Sequence, residues 1–334
     1  MNPLRIVHCA NFSESKNGAV YYAVDRKLSN GFVRNGHYVY DFSYRELAKN
    51  ATIFKSKKFG VKHVNRALLD TLCNVEPDLL LLGHSELITD DTLRIARHRH
   101  PDLKIAMWWV DAFIRSPHIL SRLAFIDAFF ATTGNDCLIN MFGANTAATC
   151  QYFPNVCDAS IEYAVAEDDS GYAYDLLYVG RDDDNRKPFI EYVKSLQHIK
   201  FGLFGNDRNT LIHGAQYYRT LKQAKIGLNY SRYNDIELYS SDRIIQLVSS
   251  GIMVMSPEIP GFRRLFDDTE IVYFSTNDDF RDKLDFYLKN DDLRLEIAAK
   301  GYQKAISAYN STRTAKFMIE SIYDLGYSEE YEWL

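Results

Sequence analysis

The 334-residue chain is short of the features that would tie it to a membrane span, a disulfide scaffold or a nucleic acid. No apolar run approaches the ~18 residues that a membrane-crossing helix needs. Its five cysteines (Cys9, Cys73, Cys137, Cys150 and Cys157) are odd in number, scattered, and include no CxxC pair. That usage excludes a disulfide framework and a zinc knuckle, and it fits reduced thiols in a cytoplasmic protein. No metal-ligand spacing occurs, so no metal is expected. The opening "MNPLRIVHCANF" passes straight into a strand pattern without an apolar leader, so no signal peptide is expected. A net charge of −5 speaks against a general nucleic-acid binder.

What the chain does have is a globular balance, 46% hydrophobic and 25% charged, over a length that exceeds one ordinary core. Two domains are therefore expected. Charge is unevenly divided: residues 1–165 hold 18 Lys/Arg against 16 Asp/Glu, and residues 166–334 hold 21 against 28. Acidity belongs to the second half. Strand candidates in the first half are "LRIVHCA", "YVYDFS", "DLLLLGHS", "KIAMWWVD" and "DAFFATT". In the second half they are "DLLYVGR", "KFGLFG", "KIGLNY", "IMVMSP" and "EIVYFS". Helical patterns fall between them at 19–34, 63–74, 88–99 and 135–142, then at 187–197, 215–224 and 241–250. Three more, near 277–289, 291–308 and 312–325, close the chain. Continuous apolar strands separated by helices mean a parallel sheet covered on both faces. The polar stretch "AVAEDDSGYAY" (164–174) reads as a linker. The pattern predicts two doubly wound α/β domains, with ligands at the carboxyl ends of their strands in the cleft between them.

Several polar constellations fall at those strand ends. In "VGRDDDNRKPF", Arg181 follows Gly180, and Arg186 and Lys187 open the next helix. Guanidinium and ammonium groups there match the oxygens of a diphosphate, and the plain alternative is a solvated loop balancing three aspartates. Gly205 ends a second strand, and Asn229 and Ser231 end a third, where short polar groups either fix a nucleotide or sugar or make a turn. His213, before Gly214, either faces a ligand or caps a helix. Arg243 and Gln246, three apart in "SSDRIIQLVSSGIMVMSPEIPGF", share one face near a helix N-terminus. An Arg there is unfavourable to the helix dipole unless an anion accompanies it.

These residues, in this order, resemble the GT-B glycosyltransferases related to family 4, in the branch of spore-maturation glycosyltransferase-like proteins. The resemblance rests on "YVGR", "RK", "AKIGLNYS", "SDRIIQLVSSGIMVMSPEIPGFRRLF" and "LKNDDLRLEIAAKGYQKAISAYNSTRTAKFM". More loosely, it extends to "LSNGFVRNGHYVYDFS", "EPDLLLLGHSELITDDTL", "IAMWWVDAF" and "YFPNVCD". It implies two Rossmann-like domains facing a central cleft. Residues 1–163 would bind the acceptor, residues 164–311 the nucleotide-sugar, and the helix in 312–334 would pack back on the first domain. It also implies that Arg181 with Lys187 or Arg186 binds the donor diphosphate, and that Gln246 stands where the family has a ribose-binding glutamate. The paired upstream glutamate has no clean counterpart, Glu237 being out of register. An amide still bonds a hydroxyl but without the charge-assisted component.

Candidates for acceptor chemistry in the first half are Asp111 in "WWVDAF" and His84 in "LGHSE", with Glu86 beside it. Each reads either as a base towards an acceptor hydroxyl or as a cap or loop residue. Asn11, Lys16 and Gly18 lie in the first strand–helix loop. The segment 54–66, with Lys55, Lys57, Lys58, Lys62 and Arg66 beside Phe54 and Phe59, reads as a solvated loop or as a peripheral contact with an anionic membrane. The expectation is a cytoplasmic, metal-independent and retaining hexosyl- or related transferase of glycan synthesis, acting on a nucleotide-sugar donor and a glycan or lipid-linked acceptor, with no cofactor. The alternatives are a nucleotide-sugar 2-epimerase and a non-catalytic nucleotide- or sugar-binding protein.

Overall fold

The computed structural model describes residues 2–113, 119–134, 138, 146–162, 171–181, 183–207 and 209–334. They form two compact units. One gathers Met1–Pro154 and Ser311–Tyr331, the other Asn155–Asn310 and Glu332–Leu334. The expected boundary at 163/164 and most of the expected linker lie outside the described residues. The contacts change unit between Pro154 and Asn155.

The first unit is built on strands β1 (Arg5–Ala10), β2 (Tyr38–Ser43), β3 (Leu79–Gly83), β4 (Lys104–Trp109), β5 (Ala128–Ala131) and β6 (Thr149–Tyr152). They pair in the order β2-β1-β3-β4-β5-β6, every pair parallel. All five residues of β3 are buried. That is why its run is uniformly apolar: a parallel sheet is covered on both faces. Its helices are α1 (Val24–Arg34), α2 (Tyr44–Asn50), α3 (Val61–Val75), α4 (Asp90–Arg99) and the short α5 (Ile119–Arg122). The helix expected at 135–142 lies, apart from Leu138, outside the described residues. At the start of α4 the Thr89 hydroxyl accepts from the Thr92 N–H, with Asp90 and Asp91 in the first turn and Arg97 and Arg99 in the last. Cap and charges both suit the helix dipole.

The second unit contains β7 (Tyr174–Val179), β8 (Phe201–Phe204), β9 (Ala224–Leu228), β10 (Met253–Pro257) and β11 (Val272–Phe274). Its order is β11-β10-β9-β7-β8, again all parallel. Helices α6 (Lys187–Ser195), α7 (Ala215–Leu221), α8 (Arg243–Val248), α9 (Asn277–Lys289) and α10 (Asp291–Ala308) complete it. Phe189 of α6 stacks on Tyr230 (4.3 Å) and Phe274 (5.3 Å), tying the helix to the sheet.

A last helix, α11 (Ser311–Ile322), belongs to the first unit and lies on α1. A Cβ at Gly31 of α1 would sit 2.1 Å from the Ser311 carbonyl oxygen, so only glycine lets the two helices approach. Asn35 Nδ2 donates to the Thr312 carbonyl at 2.8 Å. Both units are Rossmann-like. In each, the chain leaves the first strand to one side and then returns to the other, which places a topological switch point between β1 and β3 and between β7 and β9.

Candidate functional site

At the second unit's switch point, Arg243 at the first turn of α8 spans the ends of two strands. Its Nε donates to the Val179 carbonyl that ends β7 (2.6 Å), and its Nη1 donates to the Tyr230 carbonyl beyond β9 (3.1 Å). The guanidinium also lies 4.6 Å over the Tyr178 ring. Gly180 leaves the room for it, since a Cβ there would stand 2.6 Å from Arg243 Nη2. Gly205, at φ +80°, turns the chain at the end of β8, and a Cβ on it would touch Gly180 at 3.4 Å. Two strand-end glycines and one arginine therefore shape this crevice.

The three other cations expected here divide sharply. Arg186 is buried and bound: Asp183 accepts from its Nε at 2.5 Å, and the Tyr178 hydroxyl accepts from its Nη1 at 3.1 Å. Asp183 also pairs with Arg232 (3.2 Å) and accepts the Arg186 backbone N–H, which shapes the turn into α6. Burial pushes the Asp183 carboxyl up, but the bonds from Arg186 and Arg232 outweigh it and hold it below the usual carboxylate value. Arg181 and Lys187 are exposed and make no ion pair or side-chain hydrogen bond among the described residues. Of Arg186 and Lys187, Lys187 is the one left exposed.

Asn229 and Ser231 are fully buried. Asn229 Nδ2 donates to Ser240 Oγ (3.1 Å) and Ser256 Oγ (3.0 Å), and Ser231 Oγ accepts from the Ser241 N–H (2.9 Å). They brace the loop before α8. His213 is exposed, and the following Gly214 adopts φ +58° before α7. Gln246 is buried between two partners: its Oε1 accepts from the Tyr217 hydroxyl, and its Nε2 donates to Asp242 Oδ2, both at 2.6 Å. Asp242 sits one turn earlier, so a glutamate at 246 would place two carboxylates in contact. That supplies a physical reason for an amide here. An open hollow of about 500 Å³ lies beyond β10, lined by Asn234, Asp235, Glu258, Pro260, Gly261 and Arg263 among others.

The first unit carries carboxylates at the corresponding edge. Ser85 Oγ donates to the Cys9 carbonyl (2.8 Å), bridging the ends of β3 and β1. His84, at φ +55°, stacks on Trp109 with centroids 4.1 Å apart and sets Nδ1 3.9 Å from Asp111 Oδ2. The two candidates for acceptor chemistry thus fall together. Glu86 accepts from the Tyr44 hydroxyl and from Arg45 Nε (2.8 Å). Burial raises the Glu86 carboxyl, Tyr44 and Arg45 lower it further, and it ends below its ordinary value. Asp25 in α1 accepts the Asn11 N–H at 2.9 Å, and burial lifts its carboxyl to about 6.

Beneath these groups runs a buried relay. Trp108 Nε1 donates to His8 Nε2 (3.0 Å), which leaves the proton on Nδ1, bonded to Ser29 Oγ (2.8 Å). Ser29 in turn donates to Asp41 (2.6 Å). Burial holds His8 neutral, down to about 3. The Trp108 ring fills the place of a side chain on Gly83, where a Cβ would lie 2.3 Å away.

Residues 185–320 match the family described as glycosyl transferase-like. Sucrose-phosphate synthase from Thermosynechococcus elongatus superimposes with a TM-score of 0.66 at 11% identity, over 96% of this chain and 98% of that one. The fold is GT-B. AviGT4, a glycosyltransferase involved in avilamycin A biosynthesis, gives 0.62 at 13% identity over 97% and 98%. Anabaena HepE in complex with UDP-glucose gives 0.59 at 11% over 96% and 100%. No curated protein sequence matches the chain. Within this GT-B chain, sequence reasoning did not single out Asp25, Tyr178, Tyr217 or Asp242. Asp242 was one residue from Arg243 and a turn from Gln246, a spacing that could have flagged it. Tyr178 read only as a strand aromatic.

Proposed function

We propose that this chain is a glycosyltransferase that moves a sugar from a nucleoside-diphosphate sugar to an acceptor hydroxyl in glycan synthesis. The observation that carries the reading is the exposed cation pair Arg181 and Lys187, set at the switch point of a unit that matches a glycosyl transferase-like family over 185–320. Cations placed where a diphosphate leaves stabilise the charge that develops on it, and charge-assisted bonds to its oxygens are the strong ones. Arg243, fixed by two carbonyls, sets the shape of that seat. The hollow beyond β10 offers Asp235 and Glu258 to sugar hydroxyls. Gln246 retains unused hydrogen-bonding capacity for a ribose hydroxyl, because an amide has more positions than Tyr217 and Asp242 occupy. His84 and Asp111 are the groups we assign to the acceptor side. Retention of anomeric configuration and independence from metal are the outcomes that the family resemblance implies.

Calorimetry with UDP and other nucleoside diphosphates tests the donor seat. Arg181→Ala and Lys187→Ala should each weaken binding about tenfold, the loss of one charged hydrogen bond of roughly 1.5–3 kcal/mol. Unchanged affinity in both would return these residues to a solvated loop. Incubation with nucleotide-sugars separates the reactions: transfer to an acceptor supports the proposal, interconversion without one indicates an epimerase, and binding without turnover indicates a non-catalytic protein.

A further inference from the structure

Between α2 and α3 the chain holds three large apolar side chains in solvent. Ile53 is 97% exposed, Phe54 86% and Phe59 74%, the highest values for large hydrophobics among the described residues. The loop that carries them is closed by its own hydrogen bonds. Thr52 Oγ accepts from the Ser56 N–H (2.9 Å), the Lys55 N–H donates to the Thr52 carbonyl (3.0 Å), and the Gly60 N–H donates to the Lys57 carbonyl (3.2 Å). Gly60 then packs backbone to backbone on α2, where a Cβ would lie 1.8 Å from the Ala48 oxygen. These turns hold the backbone of the segment while Ile53, Phe54 and Phe59 stay outside the core.

Charge follows the same segment. From Leu47 to Leu69 there are six basic residues, Lys49, Lys55, Lys57, Lys58, Lys62 and Arg66, and no Asp or Glu, in a chain whose net charge is −5. Lys57 reaches Glu86 at 3.3 Å. Lys55, Lys58 and Lys62 are exposed and make no ion pair among the described residues. No helix among those residues is long and apolar enough to cross a membrane.

We propose that residues 53–62 form a docking surface for an anionic lipid bilayer. Ile53, Phe54 and Phe59 enter the headgroup–acyl boundary, while Lys55, Lys58 and Lys62 meet the headgroup phosphates. Apolar burial and attraction to anionic lipid act together in such contacts, and neither alone anchors a protein stably. A second copy of the chain is a poor occupant because the two like-charged faces repel. A single-stranded nucleic acid would use the rings, but Ile53, the most exposed of the three, has no face on which a base can stack. The proposal does not depend on the donor reading above.

Sedimentation of the full chain with vesicles tests it. Wild type should bind phosphatidylglycerol-containing vesicles at low salt and pure phosphatidylcholine vesicles far less. Phe54→Ser/Phe59→Ser and Lys55→Glu/Lys58→Glu should each weaken binding about tenfold or more, with unchanged circular dichroism, since all four side chains are exposed. Absence of phosphatidylglycerol-dependent sedimentation overturns the proposal, as does equal binding by wild type and both variants. So does retention of a labelled oligonucleotide or of an acidic protein through this patch by a chain that ignores vesicles.

Discussion

In the first sheet the ends of the switch-point strands are bridged by a hydroxyl, Ser85 on the Cys9 carbonyl; in the second they are bridged by a guanidinium, Arg243 on the carbonyls of Val179 and Tyr230. Near the neutral bridge stand Asp25, Glu86 and Asp111, with Arg45 on Glu86 and the buried Arg122 donating to the Ser85 carbonyl (2.9 Å). Around the cationic one stand Arg181, Arg186 and Lys187, with Asp183 bound to Arg186. The exposed cations Arg181 and Lys187 thus lie in the half of the sequence that holds the acidic excess. The charge of a half therefore does not fix which groups stand open at its strand ends. The excess of acid in the second half sits elsewhere, much of it on helix surfaces such as Asp278, Asp279 and Asp282 of α9.

The comparison is broken most directly at the bridges. Arg243→Ala strips both strand-end carbonyls of a partner, at about 1–3 kcal/mol each, and removes the ring contact with Tyr178. Thermal denaturation should show a drop of several degrees, and calorimetry a loss of nucleoside diphosphate affinity of about a hundredfold. Ser85→Ala, its counterpart, should cost only about 1 kcal/mol and leave diphosphate affinity unchanged.

The acidic edge is sharpened by pH. Asp25 is lifted from 3.8 to about 6, so the folded chain holds its proton more tightly than the unfolded chain. Its ionisation therefore costs stability as pH rises from about 4 to 6, and the cost persists above that window. Asp25→Asn, which keeps an acceptor for the Asn11 N–H, should be more stable than wild type at pH 7.5 by on the order of 2 kcal/mol and show no gain at pH 4. His8 slopes the other way. Held neutral down to about 3 against an ordinary 6.5, it contributes stability that is lost as pH falls below 6.5. With Asp25 replaced, denaturation across pH 4–7 should expose that acid lability more steeply.

The smallest effect concerns Gln246. Gln246→Glu alone should weaken donor binding, because the new carboxylate meets Asp242. Asp242→Asn/Gln246→Glu, which exchanges amide and acid, should restore affinity to within a few-fold of wild type. Equal binding by the single and double variants would remove Asp242 from the account.

Much of this architecture was legible because buried parallel strands and two-sided helices leave unambiguous runs. The patterns at 277–289 and 291–308 coincide with α9 and α10. What escaped was marginal in the same terms. β6, with Thr149 exposed and Cys150 and Gln151 half-buried at the sheet's edge, has no apolar run to announce it. α2 follows β2 without a break, so "YRELAKN" offers no turn signal. The site was legible as a set of strand ends, not as a set of partners. Whether Arg186 or Lys187 stays open depends on where Asp183 points, and the burial of Asn229 and Ser231 depends on serines 9 to 27 residues further along the chain. Asp25 was silent because its shift comes from packing around it.

The close seat of α11 on Gly31 has a consequence for the order in which the molecule is made. The first unit is completed by Ser311–Tyr331, which follow Asn155–Asn310, the bulk of the second. At ordinary rates of synthesis, α1 spends the interval with its glycine face uncovered while the later unit, continuous from Asn155 to Asn310 apart from its last three residues, already has its strands. The first unit thus closes only after the strands of the second have been made. Until α11 docks, the face of α1 around Gly31 lacks its cover.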